Sequence, residues 1–410
     1  MRSDFGSSAS LAAQRTPTVC LVMIVRNEAK VIRRCLNSVK HLISFWSLCD
    51  TGSTDTTQAV ILEALADVPG ELHHDPWVNF GHNRTLSMDR ARGKADYHLL
   101  LDADMVLNQK GDFPDLAADQ YLIRFEGPCD YAVPRLVSDR HVWTYHGVTH
   151  EYIDSPTASS AVPLTQLSIT HHEDGGGRPQ RYQRDTELLQ EGLRSDPTNS
   201  RYYYYLAQCY RDSERPAEAL EWYEKRARLG GWNQEVWSAL YQMGRMQEIL
   251  ACDWRVVLNS YLQAYNFRPT RLEPIYRIVR FYREHQQFAL GYQFSRLVTE
   301  TGYPEDILFV ERAVYDHLLP VEHAACCFET GRVAEGHRVC RELLDRGELP
   351  VDQIAAVEAL VERNERNGSH GGSESETSQA IQSLAQSAHA ADRSRKGPLA
   401  FVDPGWWEVE

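Results

Sequence analysis

This 410-residue chain predicts two architectures in series: an α/β layer on a mostly parallel sheet, then an all-α array of paired helices. Three observations carry that prediction. Apolar, β-branched runs alternate with helically spaced apolar residues as far as about Arg181, which is the pattern of a sheet covered by helices. Acidic residues recur where those apolar runs stop. From about Tyr182 strand patterns vanish, and an aromatic-rich helical periodicity with a long repeat replaces them.

Thr18 to Val25 is a continuous apolar run, as expected of a strand buried on both faces. Arg26-Asn27-Glu28 follows, then Ile32, Leu36 and Val39 at helical spacing. Ile43 to Cys49 predicts the second strand, closed by Asp50. Gly52 permits a tight turn, and Ser53, Thr54 and Asp55 are N-cap residues for a helix carrying Val60, Ile61 and Leu65. A third strand around Glu71 to His74 ends at Asp75. The fourth apolar run ends in Asp102-Ala103-Asp104, and Met105-Val106-Leu107 continues it. On an extended backbone residues i and i+2 share a side, so both carboxylates are expected to face one pocket, where hard oxygen ligands suit Mg²⁺ or Mn²⁺ bridged to phosphates. In such sheets ligands gather at the carboxyl ends of the strands. Asn27, Asp50, Asp75, Asp102 and Asp104 all fall at such ends.

Four segments in this order, Val22-Met-Ile-Val-Arg-Asn-Glu28, Cys49-Asp-Thr-Gly-Ser-Thr-Asp55, Asn79-Phe-Gly-His-Asn-Arg-Thr85 and Leu99-Leu-Leu-Asp-Ala-Asp-Met105, resemble the successive motifs of family-2 glycosyltransferases with the GT-A (Rossmann-like) fold. The resemblance covers roughly residues 17–180. It implies inverting transfer from a nucleotide-sugar donor, UDP-linked, with a divalent metal at the Asp-x-Asp motif. Residue by residue, Asn27 and Glu28 stand on the donor side, and Asp50 and Asp75 match the positions that hold base and ribose. Asp102 is implied to contact ribose or sugar and to share the metal that Asp104 ligates. Asn83 and Arg84 match a donor-side pair, or are simply the first turn of a helix packed on the sheet.

Gly147-Val-Thr-His-Glu151 resembles the segment that lines the acceptor side in those enzymes. An inverting transfer needs one general base near the acceptor, and a carboxylate can serve. Glu151 is the candidate base, with His150 as the fallback. His171 or His172 is the candidate third metal ligand; imidazole nitrogen is acceptable to Mn²⁺. Gly175 to Gly177, with Arg178 and Arg181, reads as a flap over the diphosphate or as an interdomain hinge.

A formal net charge of -14 argues against nucleic acid and anionic membrane surfaces as partners. The longest apolar runs are of strand length, so no transmembrane helix is expected. Met1 to Gln14 lacks an apolar core and reads as a disordered leader (residues 1–16) with no signal peptide. The nine cysteines are odd in number and scattered, which suits reduced thiols in the cytoplasm. Without Cys-x-x-Cys spacing, structural zinc is not expected.

Leu206, Leu240 and Ile278 recur at spacings of about 34 and 38 residues, and Tyr210, Gly244 and Tyr282 follow four residues later each time. The period is close to that of tetratricopeptide repeats. Tyr203, Leu206, Ala207, Tyr210, Ala219 and Tyr223 fit the knob positions of the first unit. Pro269 closes a second unit with an insertion near Ala251 to Trp254, and Ala324, Ala325, Phe328 and Gly331 mark a degenerate fourth. The repeats are expected over 182–362, after a transferase domain at 17–181. The tail, 363–410, is too polar to fold alone and has an aromatic end. Stacked helix pairs offer a concave face that holds peptides, or else brace or dimerise the molecule. Joined, the halves resemble family-2 transferases fused to tetratricopeptide repeats, including the sublancin-type peptide S-glycosyltransferases. The expectation is a cytoplasmic, metal-dependent, inverting glycosyltransferase acting on a peptide or protein. The alternatives are a transferase building surface polysaccharide, and a repeat scaffold with an inactive transferase domain.

Overall fold

The computed structural model describes residues 16–126, 131–175, 181–298, 301–306 and 308–369. The expected leader, most of the Gly175–Gly177 flap with Arg178, and the tail beyond Ser369 lie outside them. The described residues divide into two compact units, meeting in sequence between Leu188 and Leu189.

The first unit is built on an eight-stranded sheet in the order β3-β2-β1-β4-β7-β6-β10-β5. The strands are β1 (Val19–Val25), β2 (Phe45–Asp50), β3 (Gly70–His74), β4 (Tyr97–Leu100), β5 (Met105–Gln109), β6 (Gln120–Glu126), β7 (Tyr131–Ser138) and β10 (Ala161–His171). β8 (Thr144–His146) and β9 (Tyr152–Asp154) form a separate antiparallel hairpin. β3, β2, β1 and β4 run parallel, so Val25, Asp50, His74 and Leu100 all end at one edge. Six of the seven residues of β1 are buried, as its central place requires.

Beyond β4 the sheet is mixed rather than mostly parallel. β7 is antiparallel to both β4 and β6, and β10 is parallel to β6 and antiparallel to β5. Helix α1 (Ile32–Val39) buries Ile32, Cys35, Leu36 and Val39. α2 (Thr57–Ala64) starts later than the cap residues suggested. Its N-cap is Thr56, without a side-chain bond, while Asp55 Oδ1 accepts from the Thr57 amide at 3.0 Å. Ser53 and Thr54 bond to Asn27 instead. α3 (Phe80–Ala91) is capped by Asn79, which accepts from the His82 amide at 2.8 Å.

The second unit is helical. α4 (Arg181–Ser195) leads in, its first two turns lying in the first unit, which moves the boundary from the expected Arg181 to Leu188. The reason is local. Asp185 is buried within reach of the Thr149 hydroxyl, and the Arg184 guanidinium lies 4.8 Å from the Phe80 ring. Four contacting helix pairs follow among the described residues: α5 (Ser200–Asp212) with α6 (Pro216–Leu229), α7 (Asn233–Ile249) with α8 (Trp254–Phe267), α9 (Glu273–Glu284) with α10 (Phe288–Arg296), and α11 (Leu319–Glu329) with α12 (Val333–Arg346). A π-helical turn, Val314–Leu318, precedes α11, and α13 (Val351–Ser369) closes the row.

α13 continues past Glu362, where the tail was expected to begin. Arg363 pairs with Glu329 and Asn364 donates to the Leu360 carbonyl, so no residue there breaks the helix. Small residues let the pairs approach: a Cβ on Gly244 would stand 2.5 Å from the Tyr261 ring. Ion pairs are buried between helices. Arg226 is fully buried on Glu235, and Arg271 is buried between Glu273 and Asp306 with its guanidinium 3.6 Å from the centre of the Trp237 ring. Of the four consecutive tyrosines Tyr202 to Tyr205, Tyr202, Tyr204 and Tyr205 are buried, and Tyr204 bonds to Ser238 at 2.7 Å. Tyr203 stays half-buried against Trp222. No helix among the described residues is long and apolar enough to cross a membrane.

Candidate active site

Four parallel strands deliver side chains to one edge of the first unit. At the end of β1, Asn27 adopts φ 58°, its side chain accepts from the Thr54 amide at 2.7 Å, and its own amide donates to Ser53 Oγ at 3.0 Å. It ties β1 to the loop after β2. Asp50 is 2 % exposed; its Oδ1 accepts from the amides of Gly52 and Ser53 at 2.7 and 2.6 Å. Its Oδ2 is buried with no hydrogen-bond partner among the described residues. Such an orphan acceptor is costly unless a ligand donates to it. Asp75 pairs with Arg90 at 2.9 Å and faces the Cys49 thiol, whose pKa is pushed up by burial and then by this carboxylate.

The Asp-x-Asp motif is a turn, not the extended strand end the spacing suggested. The Met105 amide donates to the Asp102 carbonyl at 3.0 Å, as the chain leaves β4 inside the sheet and enters β5 at its edge. The two carboxylates therefore part. Asp102 Oδ1 accepts from Arg84 Nη2 at 2.6 Å, and its Oδ2 lies 3.9 Å from Arg135 Nη1. Burial would raise the Asp102 pKa, but Arg84 and Arg135 outweigh it and hold the group at about 2. Asp104 turns to His171, with Oδ2 3.3 Å from Nε2, and the Gly175 amide also reaches that oxygen at 3.3 Å. A Cβ on Gly175 would stand 3.2 Å from Asp104 Oδ2 and 3.3 Å from Glu28 Oε2, so Gly175 passes closely over both acids.

His171 and His172 separate here. The His171 ring faces Asp104, whereas His172 is exposed and meets Asp104 only through its backbone amide, 3.1 Å from the Asp104 carbonyl. Asp104 and His171, with Glu28 alongside, offer a carboxylate-rich, mostly oxygen donor set. That fits Mg²⁺ or Mn²⁺ held by one or two carboxylates plus substrate phosphate oxygens. Asp102 is engaged by guanidinium instead.

Arg84 joins the two sides of the site. Its Nε donates to Glu151 Oε1 at 2.6 Å while its Nη2 holds Asp102. Glu151 sits on the loop between β8 and β9; burial raises its pKa, opposed by Arg84. The loop is pressed against α3. Phe80 N donates to the Val148 carbonyl at 3.1 Å, and a Cβ on Gly81 would stand 2.2 Å from the Gly147 oxygen. His150, at φ 51°, is half-buried on the same loop. Asn83 has the bland role. It is buried, accepts from the Val78 amide at 2.9 Å and donates to the Pro76 carbonyl at 3.0 Å, bracing the loop before α3. Sequence reasoning missed Arg135, which reaches Asp102 from β7. A lone Arg inside an apolar strand was the available signal.

Residues 20–150 match the model of glycosyl transferase family 2. The SPbeta prophage-derived glycosyltransferase SunS of Bacillus subtilis is 25 % identical over 228 residues, which are 51 % of this chain and 53 % of that protein. The chain thus spans about half the length of the curated relative it matches. A TPR repeat-containing protein of Synechococcus elongatus is 42 % identical over 87 residues, 21 % of this chain and 20 % of that protein. Among solved structures, MamA from Desulfovibrio magneticus resembles 47 % of this chain and 97 % of its own at 16 % identity and a TM-score of 0.32.

Proposed function

We propose that the protein is a metal-dependent, inverting glycosyltransferase that takes a sugar from a nucleotide-sugar donor and places it on a peptide or protein. The observation that carries this reading is that Asp50, Asp102 and Asp104 follow the ends of parallel strands, where His171 from β10 reaches Asp104 and Arg84 ties Asp102 to Glu151 of the β8–β9 loop. The family match over residues 20–150 supports the reaction class. The relative's name, a glycosyltransferase, agrees with it.

In this reading the orphan oxygen of Asp50 accepts from the nucleoside, and Asp102, kept ionised by Arg84, receives ribose or sugar hydroxyls. Asp104 and His171 hold a divalent ion, Mn²⁺ or Mg²⁺, whose part is to neutralise charge on the diphosphate. Glu151, with its pKa raised by burial, takes the proton of the attacking acceptor atom. The new bond forms at the anomeric carbon, the bond to the diphosphate oxygen breaks, and its electron pair leaves with the diphosphate. The helical unit supplies affinity for an extended acceptor chain, as stacked helix pairs commonly do. The donor as UDP-linked and the place as cytoplasmic belong to the same proposal.

The test is hydrolysis and transfer with a panel of nucleotide sugars, with and without Mn²⁺. Metal-stimulated turnover of one donor is expected. A chain inert to every donor, with or without peptide, would make it a scaffold.

A further inference from the structure

Away from the strand ends, three side chains of different chemistry meet in the fourth helix pair. His323 and Cys327 lie four residues apart on one face of α11, and Glu335 reaches them from the first turn of α12. His323 Nε2 is 3.5 Å from Cys327 Sγ and 3.3 Å from Glu335 Oε1. Among the described residues this is the one group of three potential ligand atoms lying within 4.8 Å of one another.

The protonation pattern around them depends on their neighbours. Ser295 Oγ lies 3.1 Å from the Tyr292 carbonyl and 2.8 Å from His323 Nδ1; when its single proton goes to the carbonyl, it accepts from Nδ1. In that tautomer Nδ1 carries the ring proton, and Nε2 presents its lone pair to Cys327 and Glu335. Glu335 Oε2 accepts from the Tyr292 hydroxyl at 3.2 Å, and the Tyr292 ring stacks on His323. Nitrogen, sulfur and carboxylate oxygen thus converge on one point, with His323 Nε2 at 3.5 Å from the sulfur and 3.3 Å from the oxygen. A cation between them would take all three as ligands.

We propose that His323, Cys327 and Glu335 form a zinc site that clamps α11 to α12, with the fourth position open to water beside the partly exposed Glu335. The spacing suits the ion. Tetrahedral Zn²⁺ with Zn–N about 2.0 Å and Zn–S about 2.3 Å separates nitrogen and sulfur by about 3.5 Å, and nitrogen from oxygen slightly less. An Nδ1–H held by a neighbour's oxygen is the usual support for a metal-bound imidazole. A nitrogen–sulfur–carboxylate set favours Zn²⁺ over Mg²⁺ or Ca²⁺. On binding, the Cys327 thiol loses its proton to solvent. Its pKa is otherwise pushed up to about 12, chiefly by burial, and nearby Arg332 eases the ionisation. The expectation from sequence, that structural zinc is absent, rested on missing Cys-x-x-Cys pairs; a His-x3-Cys helix face does the same work.

The test is Co²⁺ titration of the chelator-stripped full chain. One equivalent should give thiolate-to-cobalt charge-transfer absorption together with tetrahedral visible bands. The sulfur band should vanish in Cys327→Ser and persist in Asp104→Ala, which separates this site from the strand-end one. Zn²⁺ should displace the cobalt and raise the Tm of the wild type. Glu335→Gln, which keeps the side-chain volume and the fold, should weaken Co²⁺ binding at least tenfold, and it decides the matter should Cys327→Ser fail to fold. Absence of the sulfur band, its survival in Cys327→Ser, or unchanged affinity in Glu335→Gln would overturn the proposal.

Discussion

Arg84 Nε stands 2.6 Å from Glu151, 67 residues away, while the same guanidinium holds Asp102 at 2.6 Å. One cation thus balances the proposed base and the proposed donor contact. Arg84→Lys keeps the charge but cannot serve both carboxylates in one planar fork. The variant should fold, with kcat reduced roughly a hundredfold and a smaller rise in donor KM, measured by steady-state transfer. Wild-type kcat would make Arg84 a structural tie alone.

Asp104→Ala should remove metal-dependent donor binding, since a methyl cannot ligate the ion. Calorimetry with nucleoside diphosphate and Mn²⁺ reads this directly. His171→Ala should raise the Mn²⁺ concentration needed for half-maximal rate, whereas His172→Ala, whose exposed ring does not face Asp104, should not.

Glu151→Gln should bind donor normally and lose turnover. Because burial raises the Glu151 pKa, the wild-type rate should fall as pH drops through a value above the ordinary Glu range of about 4.3. That acid limb should be absent from the residual rate of the variant. With a cysteine thiol as acceptor, which ionises more easily, the loss should be smaller.

Asp102 carries a stability signature of opposite sign. Its folded pKa of about 2 lies below the unfolded value of about 3.9, so its contribution is full above the unfolded value and is lost as pH falls through 2. Partial exposure limits the effect to on the order of 1–2 kcal/mol. Denaturant titrations between pH 5 and roughly pH 2 should show a shallower decline for Asp102→Asn than for wild type.

Tyr203→Ala should raise the acceptor's KM without matching loss of stability, because that ring is only half-buried. Tyr204→Phe should do the reverse, losing about 1 kcal/mol with its bond to Ser238 and leaving KM alone. Unchanged KM in Tyr203→Ala would place acceptor binding on another face.

The parallel half of the sheet was legible because β1 and β2 are buried on both faces and read as apolar runs, unbroken in β1 and interrupted by Ser47 alone in β2, each stopped by a polar residue. β5 to β10 were not, since register with distant partners decides their pairing; β10 pairs with β5 and β6 at once. Asp50 and Asp104 were visible as residue types at strand ends. What Arg84 touches was invisible, since its partners are 18 and 67 residues away. So was the bracing role of Asp119, held far below the usual carboxylate range by the Ser159 amide, Arg140 and His141.

The 2.2 Å that a Cβ on Gly81 would leave to the Gly147 oxygen makes the start of α3 and the loop bearing Glu151 one mechanical part. Redesign of acceptor preference thus has fixed and free positions. Residue 81 admits nothing larger than hydrogen, residue 147 at φ 106° favours glycine, and an insertion between Gly147 and Glu151 would drag Arg84 along with the carboxylate it grips. Exposed positions on the β8–β9 hairpin, such as His146 and Asp154, carry no such constraint, and diversity introduced there leaves the grip of Arg84 undisturbed.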